Sequence, residues 1–442
     1  MPLLRYQSIG VLKLDGIVNI VCRSLLFAAL FILFSTSVTF DRNHLTPAFM
    51  VDDMIRAIGN NSINSVLSDA QTETRISKGK STIRFHAHMA PWLSLRGGGR
   101  DCVSLFWKPF ASSESIIFLK THKTAGSSLG GIFWRNLCLR DGRNCFLPPA
   151  KNPGRTWDLS VQRDWHAVQT GASTLPAARF PYDAWLSHVH YHPRLFHAVK
   201  NASRILSIIR RPALRFTSAW KWYQHEQKFQ LTLPEFVHAV KNGDNWHTFW
   251  RRQPALSDFK YRTGLEATTE ELSGQQGFAA QSKSSQIRYF EELLERMRSG
   301  TLILLVTDRF DESLLVLAKL MGWGYEQLVY VRLKVAPDIN VVSENLIQDL
   351  DDIQPYDFAL WRLANHILDL QIAHYFQNSY HFQKELYDFQ QLNHKTIAQC
   401  HSSEEKFVAN GIFKDKHNLK YCEEIFRDNS DAVHFAWKNR IE

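Results

Sequence analysis

Hydrophobic and polar positions divide the chain into three regions. The run Ser24 to Phe40, SLLFAALFILFSTSVTF, carries no charge over 17 residues, at the lower limit of the ~17–25 that span a bilayer. From Asp41 to about Ser113 no period holds. Ser, Asn, Thr, Gly and Arg are frequent there, and Arg96-Gly97-Gly98-Gly99-Arg100 is a flexible break. This reads as a stem with one helix near Val51–Ile58. Beyond it, short apolar runs recur at Ser115–Leu119, near 184, at Ile205–Ile209 and at Leu302–Val306, as expected of buried parallel strands. Helical spacing follows the first of them at Leu129, Ile132, Phe133 and Leu137, and the chain after Pro355 is helical. Alternating strands and helices predict an α/β fold, a parallel sheet flanked by helices. No internal repeat is present. The expected organisation is a tail (1–23), an anchor (24–40), a stem (41–113) and one domain (114–442) with a helical C-terminal part.

Charge sets the topology of the anchor. Arg5, Lys13 and Arg23 precede the apolar run against Asp15 alone, so the positive-inside rule places the N-terminus in the cytosol and the rest in the lumen. The reading is a single-pass type II signal anchor. A cleaved signal peptide is the alternative, although the leader is long for an n-region and has no clean A-x-A site. A short span suits thin early-secretory or Golgi membranes. Two sequons, Asn60-Asn61-Ser62 and Asn201-Ala202-Ser203, agree with a luminal chain. So does the cysteine set: Cys22 borders the span, and Cys102, Cys138, Cys145, Cys400 and Cys422 form an odd group. Proximity along the chain favours Cys138–Cys145 and Cys400–Cys422, with Cys102 left over and a homodimer bridged through it left open. None has the CxxC spacing of a metal site.

Composition narrows the partners. With 45% hydrophobic residues and 21% charged, the chain builds a large core and is not disordered. The formal net charge is +9, from 52 Lys and Arg against 43 Asp and Glu, which points to an anionic partner. Spread over 442 residues, the excess disfavours a nucleic-acid coat.

Two stretches carry chemistry. After the first strand comes Lys120-Thr121-His122-Lys123-Thr124-Ala125-Gly126-Ser127-Ser128, then a helix. Strand, small basic loop and helix N-terminus together aim backbone N–H groups at an anion. Gly126 permits close backbone approach, Ser127 and Ser128 cap and donate hydroxyls, and Lys120 and Lys123 supply charge. This is no Walker A loop, because the lysine precedes the only glycine. An ordinary capped turn is the bland reading of this stretch alone. The second stretch is Ile205–Ile209 running into Arg210-Arg211-Pro212-Ala213-Leu214-Arg215-Phe216-Thr217-Ser218. An arginine at a strand end and a serine two turns into the next helix suit a second phosphate.

Together these stretches resemble the two cofactor signatures of sulfotransferases that use 3'-phosphoadenosine 5'-phosphosulfate (PAPS). KTHKT is similar to the galactose 3-O-sulfotransferase group, which includes galactosylceramide sulfotransferase. Leu302–Val306 with Phe310–Leu314, and Asp357 to Phe382, resemble later segments of that group. The likeness spans roughly Ile116 to Tyr387. Gly126 stands where the group commonly has Ser, Arg211 where Asp is frequent, and Trp220 where Tyr is frequent. The stretch Trp246 to Gln281 has no clear match.

The resemblance implies a P-loop-like sulfotransferase fold and a Golgi enzyme that sulfates a galactose 3-hydroxyl of a glycolipid or glycoprotein. A glycosaminoglycan uronosyl 2-O-sulfotransferase and a non-catalytic glycan-binding protein are the alternatives. It makes Lys123 the cation facing the bridging oxygen. Lys120, Thr121, Lys123, Thr124, Ala125, Gly126, Ser127 and Ser128 would hold the 5'-phosphate side, and Arg210 and Ser218 the 3'-phosphate, with Arg215 a further candidate. No metal is required. The acceptor hydroxyl needs a base, and histidine suits it. His122 leads and His188 follows. His188 and His190 alternate as on a strand, although the string His188-Val189-His190-Tyr191-His192 could also bind a metal. Trp220, Trp222, Tyr223, Trp246 and Trp250 could stack on sugar faces or pack in the core.

Overall fold

The computed structural model describes residues 108–147, 156–170, 179–202, 204–242, 264–332, 342–376, 378–410, 422 and 424–425. The Ser24–Phe40 run, the stem with its Val51–Ile58 helix, the Asn60 sequon, Cys22, Cys102, Trp246 and Trp250 lie outside the described residues. Asn201 of the second sequon sits exposed in a turn with φ 54°.

Five short strands form one parallel sheet: β1 (Ile116–Leu119), β2 (Cys145–Phe146), β3 (Ala184–Trp185), β4 (Ile205–Ile209) and β5 (Leu302–Val306), in the order β2-β3-β1-β4-β5. Every strand residue is buried, which is why these strands read as unbroken apolar runs. β4 and β5 pair from Ile205↔Leu302 to Ile209↔Val306. β1 pairs with β3 on one side and with β4 on the other. The chain reaches those neighbours by crossing in opposite directions, so the sheet's switch point lies at the C-terminal end of β1. Open α/β sheets bind ligands at such an end.

Among the described residues, the α-helices of seven or more residues are α1 (Gly126–Phe133), α2 (Gln162–Thr170), α3 (Pro212–Trp222), α4 (Leu233–Lys241), α5 (Ala267–Ser273), α6 (Lys283–Arg298), α7 (Phe310–Met321), α8 (Glu344–Asp352), α9 (Pro355–Tyr375) and α10 (Ser379–Asn410). α9 packs on β5 and α7, and α10 on α7. A wide π-type turn, Trp134–Arg140, continues α1, and Cys138–Cys145 ties its end to β2. Cys400–Cys422 ties α10 to the C-terminal segment. Both favoured pairings are therefore present. Among the described residues no helix is long and apolar enough to cross a membrane.

α5 and α9 cap one another. The Glu266 carboxylate accepts the N–H groups of Tyr356 and Asp357 at 3.0 and 2.6 Å. Asp357 in turn accepts those of Thr268 and Thr269 at 3.2 and 2.7 Å, and the Thr269 hydroxyl at 2.7 Å. Each carboxylate meets orphan donors and the positive end of a helix.

A second apolar cluster lies under α3, where Ala213, Phe216 and Trp220 meet Phe229, Phe236 and Leu350. Trp220 is 2% exposed, so of its two roles it takes core packing. His225 stands among the rings of Trp220, Tyr223 and Phe229. Burial, helped by Lys228, pushes its imidazole down to about 3 from 6.5. Between these values the unfolded chain binds the proton that the folded chain refuses. Stability is thus full above pH 6.5 and falls as pH drops toward 3. His225→Phe should flatten that acid limb. Melting temperatures measured from pH 7 down to 5 should fall less in the variant, and parallel slopes would contradict this account.

Candidate active site

The loop between β1 and α1 is built from inside. Thr121 Oγ1 donates to the Ile208 carbonyl of β4 at 2.6 Å and lies 2.8 Å from Thr124 Oγ1. Thr307, just after β5, donates to the Thr124 carbonyl at 2.7 Å. Three adjacent strands therefore hold one loop. Lys123 and Ala125 adopt left-handed backbone, φ 63° and 62°. Such angles cost non-glycine residues energy and persist only where the surroundings impose them. Their alternation with ordinary backbone is the geometry that turns consecutive N–H groups toward an anion. At Gly126 a Cβ would meet Lys120 Cγ at 2.9 Å and the Thr121 carbonyl at 3.3 Å, so glycine lets α1 start this close to the strand end. Lys123, Ala125 and Ser127 are the half-buried positions of the loop, and Lys120, Thr121, His122, Thr124, Gly126 and Ser128 are buried. The threonine hydroxyls bond inward, so Thr121 and Thr124 offer an anion their backbone.

Two histidines meet beside this loop. The rings of His122 and His188 stack with centroids 4.0 Å apart and planes 17° apart. His188 Nδ1 lies 2.7 Å from the Lys120 carbonyl. A carbonyl only accepts, so Nδ1 carries the proton and Nε2 the lone pair. His122 Nδ1 bonds Glu271 Oε1 of α5, and the His122 N–H donates to Glu271 Oε2 at 3.0 Å. The same tautomer follows. Glu271 is 2% exposed. His190 is buried, and its backbone pairs with Trp157. His192 accepts the Arg194 N–H at 3.2 Å, and burial lowers its proton affinity. Among the described residues no group of three or more His, Cys, Asp and Glu side chains could hold a metal.

The β4 side supplies cations of two kinds. Arg210 follows the strand directly, and its buried Nε has no hydrogen-bond partner among the described residues. Burial lowers its proton affinity, opposed by Asp308, so this desolvated guanidinium is suited to an incoming anion. Ser218 lies on the half-exposed stripe of α3 one turn before Trp222. The Lys123 ammonium sits 4.0 Å from the centroid of the Trp222 ring, which places that stripe of α3 against the loop. Trp222 is 46% exposed. Arg211 instead bonds Asp351 at 2.7 Å.

Arg215 departs from its sequence reading. It is 1% exposed, donates to the Gly264 carbonyl and to Gln354 at 2.8 and 2.9 Å, and lies 3.8 Å from Asp357. It thus serves the α5–α9 caps, and the RRPxxR spacing could not tell which side of α3 its partners occupy.

The family profile for galactose-3-O-sulfotransferase matches residues 107–422. The chain belongs to this family. Galactose-3-O-sulfotransferase 3 of Bos taurus is 24% identical over 231 residues, 51% of this chain and 49% of the relative. Galactosylceramide sulfotransferase of Mus musculus is 25% identical over 236 residues, again 51% and 49%. Galactose-3-O-sulfotransferase 2 of Mus musculus is 22% identical over 263 residues, 57% of this chain and 60% of the relative. The alignments with the first two span about half the length of each relative. In this galactose-3-O-sulfotransferase family member, the matched region holds the whole loop, both stacked histidines, Arg210, Ser218 and Glu271.

Sequence reasoning missed Glu271. It lies 149 residues from His122, in a polar stretch, Ala267-Thr268-Thr269-Glu270-Glu271, that reads as solvent-facing although all of it is buried. The division between the two arginines is testable. Arg215→Ala should cost about 3–5 kcal/mol in denaturant unfolding, because it strands buried carboxylates. Arg210→Ala should leave the midpoint nearly unchanged. Equal losses would refute the division.

Proposed function

We propose that this chain transfers the sulfuryl group of PAPS to a galactose 3-hydroxyl on a glycolipid or glycoprotein glycan. The family supports carbohydrate sulfotransferase activity and implies a sulfate donor such as PAPS. The observation that carries the reading is one strand-to-helix loop bearing both a lysine and a histidine bonded to a carboxylate, with Arg210 directly after the neighbouring strand and its buried Nε without a hydrogen-bond partner among the described residues.

The roles follow from charge. Backbone N–H groups of the loop and of the first turn of α1, with Ser127 and Ser128, bind the 5'-phosphate. Arg210 and Ser218 bind the 3'-phosphate. The acceptor oxygen attacks sulfur in line, the bond from sulfur to the bridging oxygen breaks, and its electron pair stays on that oxygen as the 5'-phosphate leaves. Lys123 neutralises this charge. His122 Nε2 takes the acceptor proton. The products are a sulfate ester and adenosine 3',5'-bisphosphate. Lys123 rests on Trp222, so its move to the bridging oxygen uncovers an aromatic face on which the galactose ring stacks.

The cellular setting is a Golgi membrane with the catalytic domain luminal. The two disulfides suit that oxidising compartment, and the Ser24–Phe40 run supplies a type II anchor.

Purified full-length chain should move labelled sulfate from PAPS to galactosides and not to glycosaminoglycan uronates. A uronate-only profile would assign the alternative acceptor, and inertness toward every glycan would leave a binding protein. Lys123→Ala and His122→Ala should each abolish transfer while adenosine 3',5'-bisphosphate still binds by calorimetry. Near-normal turnover in His122→Ala would hand the proton to His188. Trp222→Ala should raise the KM for the galactoside about ten-fold, equivalent to ~1.4 kcal/mol, with Trp222→Tyr close to normal. An unchanged KM would remove the ring from the acceptor site.

A further inference from the structure

We infer that Glu271 is a positioning residue that fixes the tautomer of His122 and so leaves its Nε2 able to take the acceptor proton. This rests on the sulfuryl-transfer reading above.

The two imidazoles are stacked neighbours and differ in what lies behind them. Behind His188 Nδ1 is a neutral acceptor, the Lys120 carbonyl at 2.7 Å. Behind His122 Nδ1 is a carboxylate, held on a helix whose own N-terminus is capped from α9. Taking a proton creates an imidazolium, and a buried positive charge needs a countercharge. For His122, Glu271 supplies it. The His188 ring, stacked 4.0 Å away, is a flat wall that keeps the His122 ring in plane.

Counting donors and acceptors makes the carboxylate necessary. His122 presents two donors to Glu271, its backbone N–H at 3.0 Å and its Nδ1–H. A carboxylate has two acceptor oxygens and meets both. Glutamine has the same shape but only one acceptor, and its other arm is an NH2 donor. If the glutamine oxygen takes the backbone N–H, its NH2 faces Nδ1. The imidazole then becomes an acceptor there and carries its proton on Nε2. A ring so protonated cannot accept from the acceptor hydroxyl. The analogous loss in serine-protease triads, where an amide replaces the aspartate, follows the same logic. A merely structural Glu271, gluing α5 to the loop, would lose only stability in the glutamine variant.

The test uses the full chain with 15N-histidine labelling, the His122 signals being assigned by their loss in His122→Gln. Wild type should show the His122 proton on Nδ1, and Glu271→Gln should move it to Nε2. In the same variant kcat should fall by about 10²–10⁴, the range for loss of a general base. KM for both substrates and the affinity for adenosine 3',5'-bisphosphate should stay within about three-fold. Glu271→Asp keeps two acceptor oxygens, so it should retain the Nδ1 tautomer and recover part of the rate. An unmoved tautomer in Glu271→Gln, or an unchanged kcat, would overturn the role of Glu271. If Glu271→Gln does not fold, Glu271→Asp carries the test, and a proton found on Nε2 there would overturn it. A wild-type chain inert toward every galactoside would overturn the parent reading, while the tautomer comparison still decides whether Glu271 sets the His122 ring.

Discussion

Two buried carboxylates, exchanged between two helix ends, hold the site in place. Glu266 caps α9, Asp357 caps α5, and Arg215 lies against Asp357 and between the segments that carry both. α5 has seven residues, too few to persist as an isolated helix. Its fixed position comes from these caps and from burial on every side. Burial and the neighbouring Asp357 push the Glu266 carboxyl well above its ordinary range, while the Tyr356 and Asp357 N–H groups and Arg215 pull the other way. Such an arrangement gains little net stability over an apolar one. What it does provide is register: the carboxylate oxygens and the helix N–H groups they accept have one satisfying geometry, and Glu271, one turn along α5, inherits it. The same helix also receives the Tyr191 N–H on the Glu271 carbonyl, so the chain just past His188 is tied to the residue that holds His122.

The sheet was largely legible because its strands are buried on both faces and so appear as apolar runs. Ile116–Leu119, Ile205–Ile209 and Leu302–Val306 could hardly have been anything else once helices were seen to alternate with them. β2 escaped notice because two residues make no pattern, and its place depends on β3, which pairs with it from 39 residues away. The basic loop was visible as local chemistry, and both disulfides as short spacings. α5 was not visible. Its cap comes from 88 and 89 residues away, and no local rule turns a run of threonines and glutamates inward. Arg215 failed for a related reason: periodicity gives the face of a helix but not what lies opposite it.

The basic residues divide into groups that composition had merged. Arg215 and Arg211 neutralise buried or half-buried aspartates of α9 and α8. Arg135 donates to the backbone carbonyls of Gln327 and Val329 at 2.8 and 2.6 Å. These are structural cations, committed to acceptors within the chain. Lys123 and Arg210 differ in place, one resting on an aromatic ring beside the loop and the other following β4 directly. Net charge therefore says little about anion binding here, and the placement of each cation says more.

The cradle helix is pinned at both ends. The strand-held loop fixes its start, and the Cys138–Cys145 bridge, with Arg135 and Asn136 clamped onto the Gln327 carbonyl, fixes its continuation. Such a helix has no freedom to slide along its axis when charge enters or leaves the loop. The backbone donors then act as a rigid socket of constant shape. In the proposed transfer, adaptation to each change of occupant would fall to the long side chains at its rim, and turnover would be a matter of side-chain swing, with the scaffold bearing none of the recoil.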